Sequence, residues 1–183
     1  MRENDKALTA MSEVARHKLK GVMIHGFISE SFLLMNMRGF AKQHRKHQKC
    51  EYREFVKLTE YIIERHGYIP DTTGVRVDDE ILATFSSKYN RTNLTPETKR
   101  KAVSYLLDYI VEWEEGTIDT LGEKYDELCA CGCHADAIRI SRMIEDTDSE
   151  VQKYIEEATM FEDINYDMVE IMDYQHTLKE ELR

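Results

Sequence analysis

Two prolines and eight glycines are all that 183 residues contain of the two strongest helix breakers. Their scarcity argues against a strand-and-turn architecture and, with 33% charged residues, favours long exposed helices. No segment has the uninterrupted apolar length of a membrane span, and the N-terminus MRENDKALTA lacks the hydrophobic region of a signal peptide. A soluble, cytoplasmic protein is the expectation, with no membrane partner. Positive charge is also in deficit: 25 Lys and Arg face 35 Asp and Glu, a net charge of −10. That balance makes general nucleic-acid binding unlikely. The one dense basic run, Lys42 to Lys49 (KQHRKHQK), could touch a phosphate but reads more simply as a solvated helix face. Cysteine is scarce as well. Cys50 stands alone, and Cys129, Cys131 and Cys133 crowd with His134 into CACGCH, a spacing unsuited to a disulfide framework.

What remains is helical periodicity, in a chain whose 183 residues fit one domain. An apolar 3.6-residue period runs from about Lys6 to Ala41. A second runs from about His47 to His66 and stops at Gly67, with Pro70 beyond. Asp71 to Asn93 lacks a sustained period and reads as a crossover connection carrying one short helix at Asp78 to Phe85. Thr95 and Pro96 supply an N-cap and a first helical residue. The third long helix should reach Leu128, and CACGCH turns the chain into a fourth from Ala135 to Phe161. The expected organisation is a bundle over residues 1–161, with 162–183 as a helical extension of the same domain.

Each long helix sets a carboxylate inside its own apolar stripe, because residues three, four and seven apart share a face. Glu30 falls among Met23, Phe27, Leu34 and Met37. Glu51 and Glu54 extend the stripe of Phe55, Leu58, Tyr61 and Ile62, with His47 and His44 one and two turns earlier. Glu114 lies four after Ile110 and seven before Leu121. Asp148 sits at the edge of the stripe formed by Ile140, Ile144, Val151, Ile155 and Ala158. A buried carboxylate is costly unless paired, protonated or bound to metal, so one per helix suggests a site. Arg38 is a candidate partner for Glu30, and Lys124 for Glu114. His25 and His66 read as ordinary surface or helix-end residues, and Met23, Met35, Met37, Met168 and Met172 as core filling.

Two helices, a long connection and two more helices make an all-α bundle with one long crossover. Asn36, Met37, Arg38 and Gly39 (NMRG), then His44, His47 and Glu51, then Ile63, Glu64 and Arg65 (IER) resemble the first two helices of the mini-ferritins. Glu51 and Glu54 (EYRE) before Leu58, Tyr61 and Gly67 are similar to the classical ferritins, where that stretch carries Glu-x-x-His. The resemblance, to the ferritin-like superfamily, covers about half the chain. It implies a four-helix bundle with an extra C-terminal helical segment, a homo-oligomer, and iron bound or oxidised at a di-metal site. Position 54 is Glu where the family has His, and no Glu-x-x-His occurs on the fourth helix. A complete ferroxidase centre is therefore not carried over.

The metal set expected from the residues is Glu30, Glu51, Glu54 and Glu114, with His47 and Asp148 as accessories. Carboxylates offset the repulsion between two close cations and offer hard oxygen donors, which suits iron. Cys129, Cys131, Cys133 and His134 have the atom types for zinc in an unusual spacing. Three functions follow. The first is an iron-binding ferritin-like protein, and the second a non-enzymatic helical interaction module whose core glutamates pair with lysine or arginine. The third, a di-iron monooxygenase, lacks a substrate clue.

Overall fold

The computed structural model describes residues 3–181. Six α-helices follow one another among the described residues: α1 (Glu3–Leu34), α2 (Arg38–His66), α3 (Asp79–Lys88), α4 (Pro96–Ala130), α5 (His134–Asp163) and α6 (Met168–Glu181). α1 packs along α2 and α4 along α5, α1 closes on α4, and α6 folds back onto α2. The tail expected to continue to Arg183 is helical as far as Glu181, and Leu182 and Arg183 lie outside the described residues. No helix among the described residues is long and apolar enough to cross a membrane.

Helix ends follow backbone chemistry. α1 stops because Asn36 adopts φ 62°, and the Met37 amide donates to Phe32 O at 2.9 Å while the Asn36 amide donates to Leu33 O. Asparagine tolerates this left-handed conformation, so no glycine or proline marks the turn. The expected boundaries at Ala41 and His47 are thus corrected to Leu34 and Arg38. Gly67, also left-handed, ends α2 as read from the sequence. Thr95 caps α4 by accepting the Thr98 amide, with Pro96 in the first turn. CACGCH ends α4 in the same way as Asn36 ends α1: Gly132 takes φ 73°, and the Cys133 amide donates to Leu128 O at 2.9 Å.

The crossover 67–95 is tied to the bundle through Asp78, which accepts from Lys20 at 2.8 Å and from the Tyr109 hydroxyl at 3.4 Å. Two apolar clusters fill the interior. One gathers Ile28, Phe32, Phe40, Leu106, Phe161 and Ile171 towards α6, and the other gathers Met11, Leu58, Ile62, Leu121, Leu128 and Ile140 towards the far end. Polar side chains occupy the space between them.

Candidate metal centre in the bundle core

Close helix approach makes the polar layer possible. A methyl group at Gly21 would stand 2.9 Å from Glu51 Oε2, and one at Gly26 would collide with the Gln48 side chain. Side-chain-free positions on α1 therefore let α2 press its carboxylates inward. The inner face of α1 carries Lys18, Gly21, Ile24, His25, Ile28 and Phe32, all buried.

Lys18 is the first residue the sequence reading missed. Its side chain is 3% exposed, and Nζ donates to Glu51 Oε1 at 3.1 Å and lies 2.9 Å from Glu54 Oε2. Burial pulls its pKa down, but Glu51 and Glu54 outweigh burial and hold the ammonium above its ordinary value. Burial pushes Glu51 up to about 7, helped by Glu54 and Glu114 and opposed by Lys18. Two glutamates thus share one fixed cation.

Beyond Lys18, imidazoles dominate. His25 is fully buried, so its reading as a surface residue is corrected. Its Nε2 lies 3.1 Å from Glu114 Oε1, and its Nδ1 lies 3.3 Å from His44 Nδ1. The other ring nitrogen of His44 is Nε2. That atom is buried without a hydrogen-bond partner. Burial, with His25 and His47 beside it, drives His44 well below the ordinary histidine value, so it stays neutral. His47 Nδ1 stands 3.4 Å from Glu150 Oε1, and the His25 and His47 rings are 5.5 Å apart. Burial pushes Glu150 up, but the His47 contact outweighs it and leaves the carboxyl lower than usual.

Tyr154 lies parallel to His44 at 5.7 Å, its hydroxyl buried without a partner. Burial and then the charges of Glu114, Glu150, Glu157 and Glu51 raise it far above an ordinary tyrosine. Glu157, one turn on, has two buried oxygens without hydrogen bonds of good geometry. Burial raises it to about 7, opposed by its polar neighbours Tyr174 and Gln43.

Of the expected ligands, Glu51, Glu54, Glu114 and His47 converge on this layer. Glu30 and Asp148 do not. Glu30 is 71% exposed with Arg45 Nη2 at 3.8 Å, because α1 buries the adjacent Ser29 and Ser31 instead. Asp148 is exposed while Thr147 faces in, and the inward acids of α5 are Glu150 and Glu157. Lys124 pairs with Glu13 and Glu127, not Glu114. His66 is no free helix end either: with Arg65 and Tyr61 it surrounds the buried Asp136, tying α2 to α5. At CACGCH the cysteines are half-buried against the far apolar cluster, and none is in a disulfide. Among the described residues, in the polar layer as at CACGCH, no group of three or more His, Cys, Asp or Glu stands arranged around a metal position, and zinc at the cysteines finds no support.

No family model and no curated protein matches the sequence. Solved structures do. A humanized archaeal ferritin superposes with a TM-score of 0.78 at 13% identity, covering 95% of each chain. An open-pore ferritin from the hyperthermophilic archaeon Archaeoglobus fulgidus gives 0.77 at 13% identity over 94% of this chain and 95% of that one. Apo-ferritin from Pseudo-nitzschia multiseries gives 0.77 at 12% identity over 94% and 98%. At such identities the likeness is one of architecture, and on that ground the chain has the ferritin-like fold.

Proposed function

We propose that this bundle binds iron as cargo at its polar layer, one ion per chain rather than two. The observation that carries this reading is Nε2 of His44, a ring nitrogen buried without a hydrogen-bond partner, with the His25 Nδ1 3.3 Å from its Nδ1 and the His47 ring 6.4 Å away. Such an orphan is costly unless an ion or water answers it. The donors available are His25, His44 and His47 with Glu51, Glu114 and Glu150, from all four long helices. This mixture of nitrogen and carboxylate oxygen suits a first-row divalent metal. On the other side of Glu51, Lys18 already fills the space between Glu51 and Glu54, which supports one ion rather than the two expected from the sequence.

Iron supplies one-electron exchange between its two common oxidation states. The residues do the rest: Lys18 balances Glu51 and Glu54, Tyr154 and Phe32 flank His44, and the helix backbone fixes all four faces. To coordinate, the His25–Glu114 and His47–Glu150 contacts must be exchanged for bonds to the ion, since they now satisfy each other. Four cysteines outside disulfides fit a reducing cytoplasm, and the same reading includes a homo-oligomer.

A second reading is a metal-free interaction module, favoured by the Lys18 ion pairs. The two separate in one sample. Full-length protein equilibrated anaerobically with Fe(II) should retain one iron by elemental analysis, with anomalous scattering beside His47 and Glu150. His47→Ala with Glu150→Gln should lose it, and Lys18→Glu should admit a second. A stably folded protein that retains no iron would leave the metal-free module as the function.

A further inference from the structure

The basic run that looked like a solvated face lines a cavity. Arg38, Lys42, Arg45, Lys46 and Lys49 border a hollow of about 520 Å³ between the end of α1 and the start of α2, with Leu33 on its apolar side. These cations recur at three-, four- and seven-residue spacing along about 16 Å of helix, so they gather on one side of α2. In a chain with ten more acids than bases, such a cluster would normally be laced with carboxylates. Here only Arg45 has one within ion-pair distance among the described residues, Glu30 at 3.8 Å. Arg45 is further oriented by the Gln48 side-chain oxygen, to which it donates at 2.7 Å.

Five like charges around a concave surface repel one another and focus a positive potential into the hollow. An anion bound there relieves that repulsion. A single phosphate would meet only part of the set, whereas a chain of phosphates spans the row. The volume falls within the range of small-molecule sites, and Leu33, half exposed, offers a wall for a flat apolar group. We propose that this cavity binds a small polyphosphate anion, of the class that includes nucleoside triphosphates. The site lies outside the polar layer of the core and does not rest on iron binding.

Calorimetry of the full-length chain with inorganic tripolyphosphate and with ATP tests the proposal. Both should bind at low salt, weaken as salt screens the row, and bind far more tightly than orthophosphate. Lys46→Glu with Lys49→Glu, both exposed and outside the core, should weaken binding by roughly tenfold or more. The milder Lys46→Gln with Lys49→Gln should fall between, and unchanged circular dichroism confirms that both pairs fold. ATP binding more tightly than tripolyphosphate assigns a nucleotide, and equal binding assigns the phosphate chain alone. Absence of binding by either anion overturns the proposal, as does binding insensitive to both double variants. Tighter binding of a short DNA duplex than of tripolyphosphate overturns it in favour of a nucleic-acid face.

Discussion

Replacing Lys18 by methionine keeps the volume and removes the cation that lies between Glu51 and Glu54. Removing one partner of a buried ion pair costs about 3–5 kcal/mol, because the remaining charge is left in a poor solvent. Here the loss should depend on pH, since Glu51 can discharge itself by taking a proton. Its folded pKa of about 7 lies above the ordinary 4.5, so folding favours the protonated form. That preference is fully present below pH 4.5 and is lost as pH rises through 7. Near pH 5.5 Glu51 is protonated with or without Lys18, and the variant forfeits only the contact with Glu54, whose side chain is 33% exposed, worth about 1 kcal/mol. Near pH 8 the native ammonium faces two carboxylates, and the variant must either bury them uncompensated or protonate Glu51 against the solvent. About 3 kcal/mol is then expected. Urea denaturation at both pH values, without metal, measures the difference. A loss that is equal at the two, or below about 1 kcal/mol near pH 8, would refute Lys18 as the counterion of the layer.

Glu157→Gln removes a second raised carboxyl. A group moved from 4.5 to about 7 on folding weakens the fold once both states ionise, by up to about 3 kcal/mol, so the variant should unfold at higher urea than the native chain near pH 8 and at the same urea near pH 5. His17 stacks on Trp113 at 4.6 Å, and burial, with Lys18 and Lys20 nearby, lowers it to about 4. Its neutral form is favoured in the fold, so that stability is complete above pH 6.5 and is lost as pH falls towards 4. His17→Gln should flatten this acid slope by about 2 kcal/mol in the same titration. Gly39 touches the Gln175 backbone so closely that a methyl group would overlap it. Gly39→Ala should therefore push α6 off α2, costing about 1–3 kcal/mol and accelerating amide exchange in 168–181 ahead of the four long helices. Uniform exchange in that variant would mean α6 does not move as a unit.

Element order, the long crossover, the stop at Gly67 and the start at Thr95–Pro96 were legible in the sequence because each rests on local chemistry. So was the α4 stripe, where Val103, Leu107, Ile110, Glu114 and Leu121 are all buried. On α1 the same arithmetic failed. Met23, Phe27 and Leu34 are apolar yet only partly buried, with Leu34 41% exposed, while the face turned inward mixes Ile24, Ile28 and Phe32 with Lys18, Gly21, His25 and Ser29. Hydrophobicity locates a buried face poorly where that face mixes apolar and polar side chains. Where a helix lines a polar layer the criterion inverts, and Glu30 was chosen because it sits among the more apolar neighbours. α5 misled for the same reason: Glu150, Tyr154 and Glu157 face the layer, and Asp148 lies just off it.

One signal would have corrected α1 without a structure. Gly21 and Gly26 both sit on its inner half, and Gly21 is one turn from Lys18 and from His25, so the three share a face. Glycine inside a helix costs about 1 kcal/mol and usually marks close approach by a neighbour. Taken with that cost, Lys18 and His25 belong to a packed face, where an ammonium requires acids opposite. α2 offers Glu51 and Glu54 three residues apart, the spacing one ammonium can bridge. The same geometry sets what the core can hold. A lysine cannot leave its place as a hydrated ion does, so its charge is fixed in the layer when the chain folds, and Glu51 beside it changes charge only by taking up or losing a proton. The imidazoles of His25, His44 and His47 have no such fixed cation among them, and His44 Nε2 is buried without a hydrogen-bond partner.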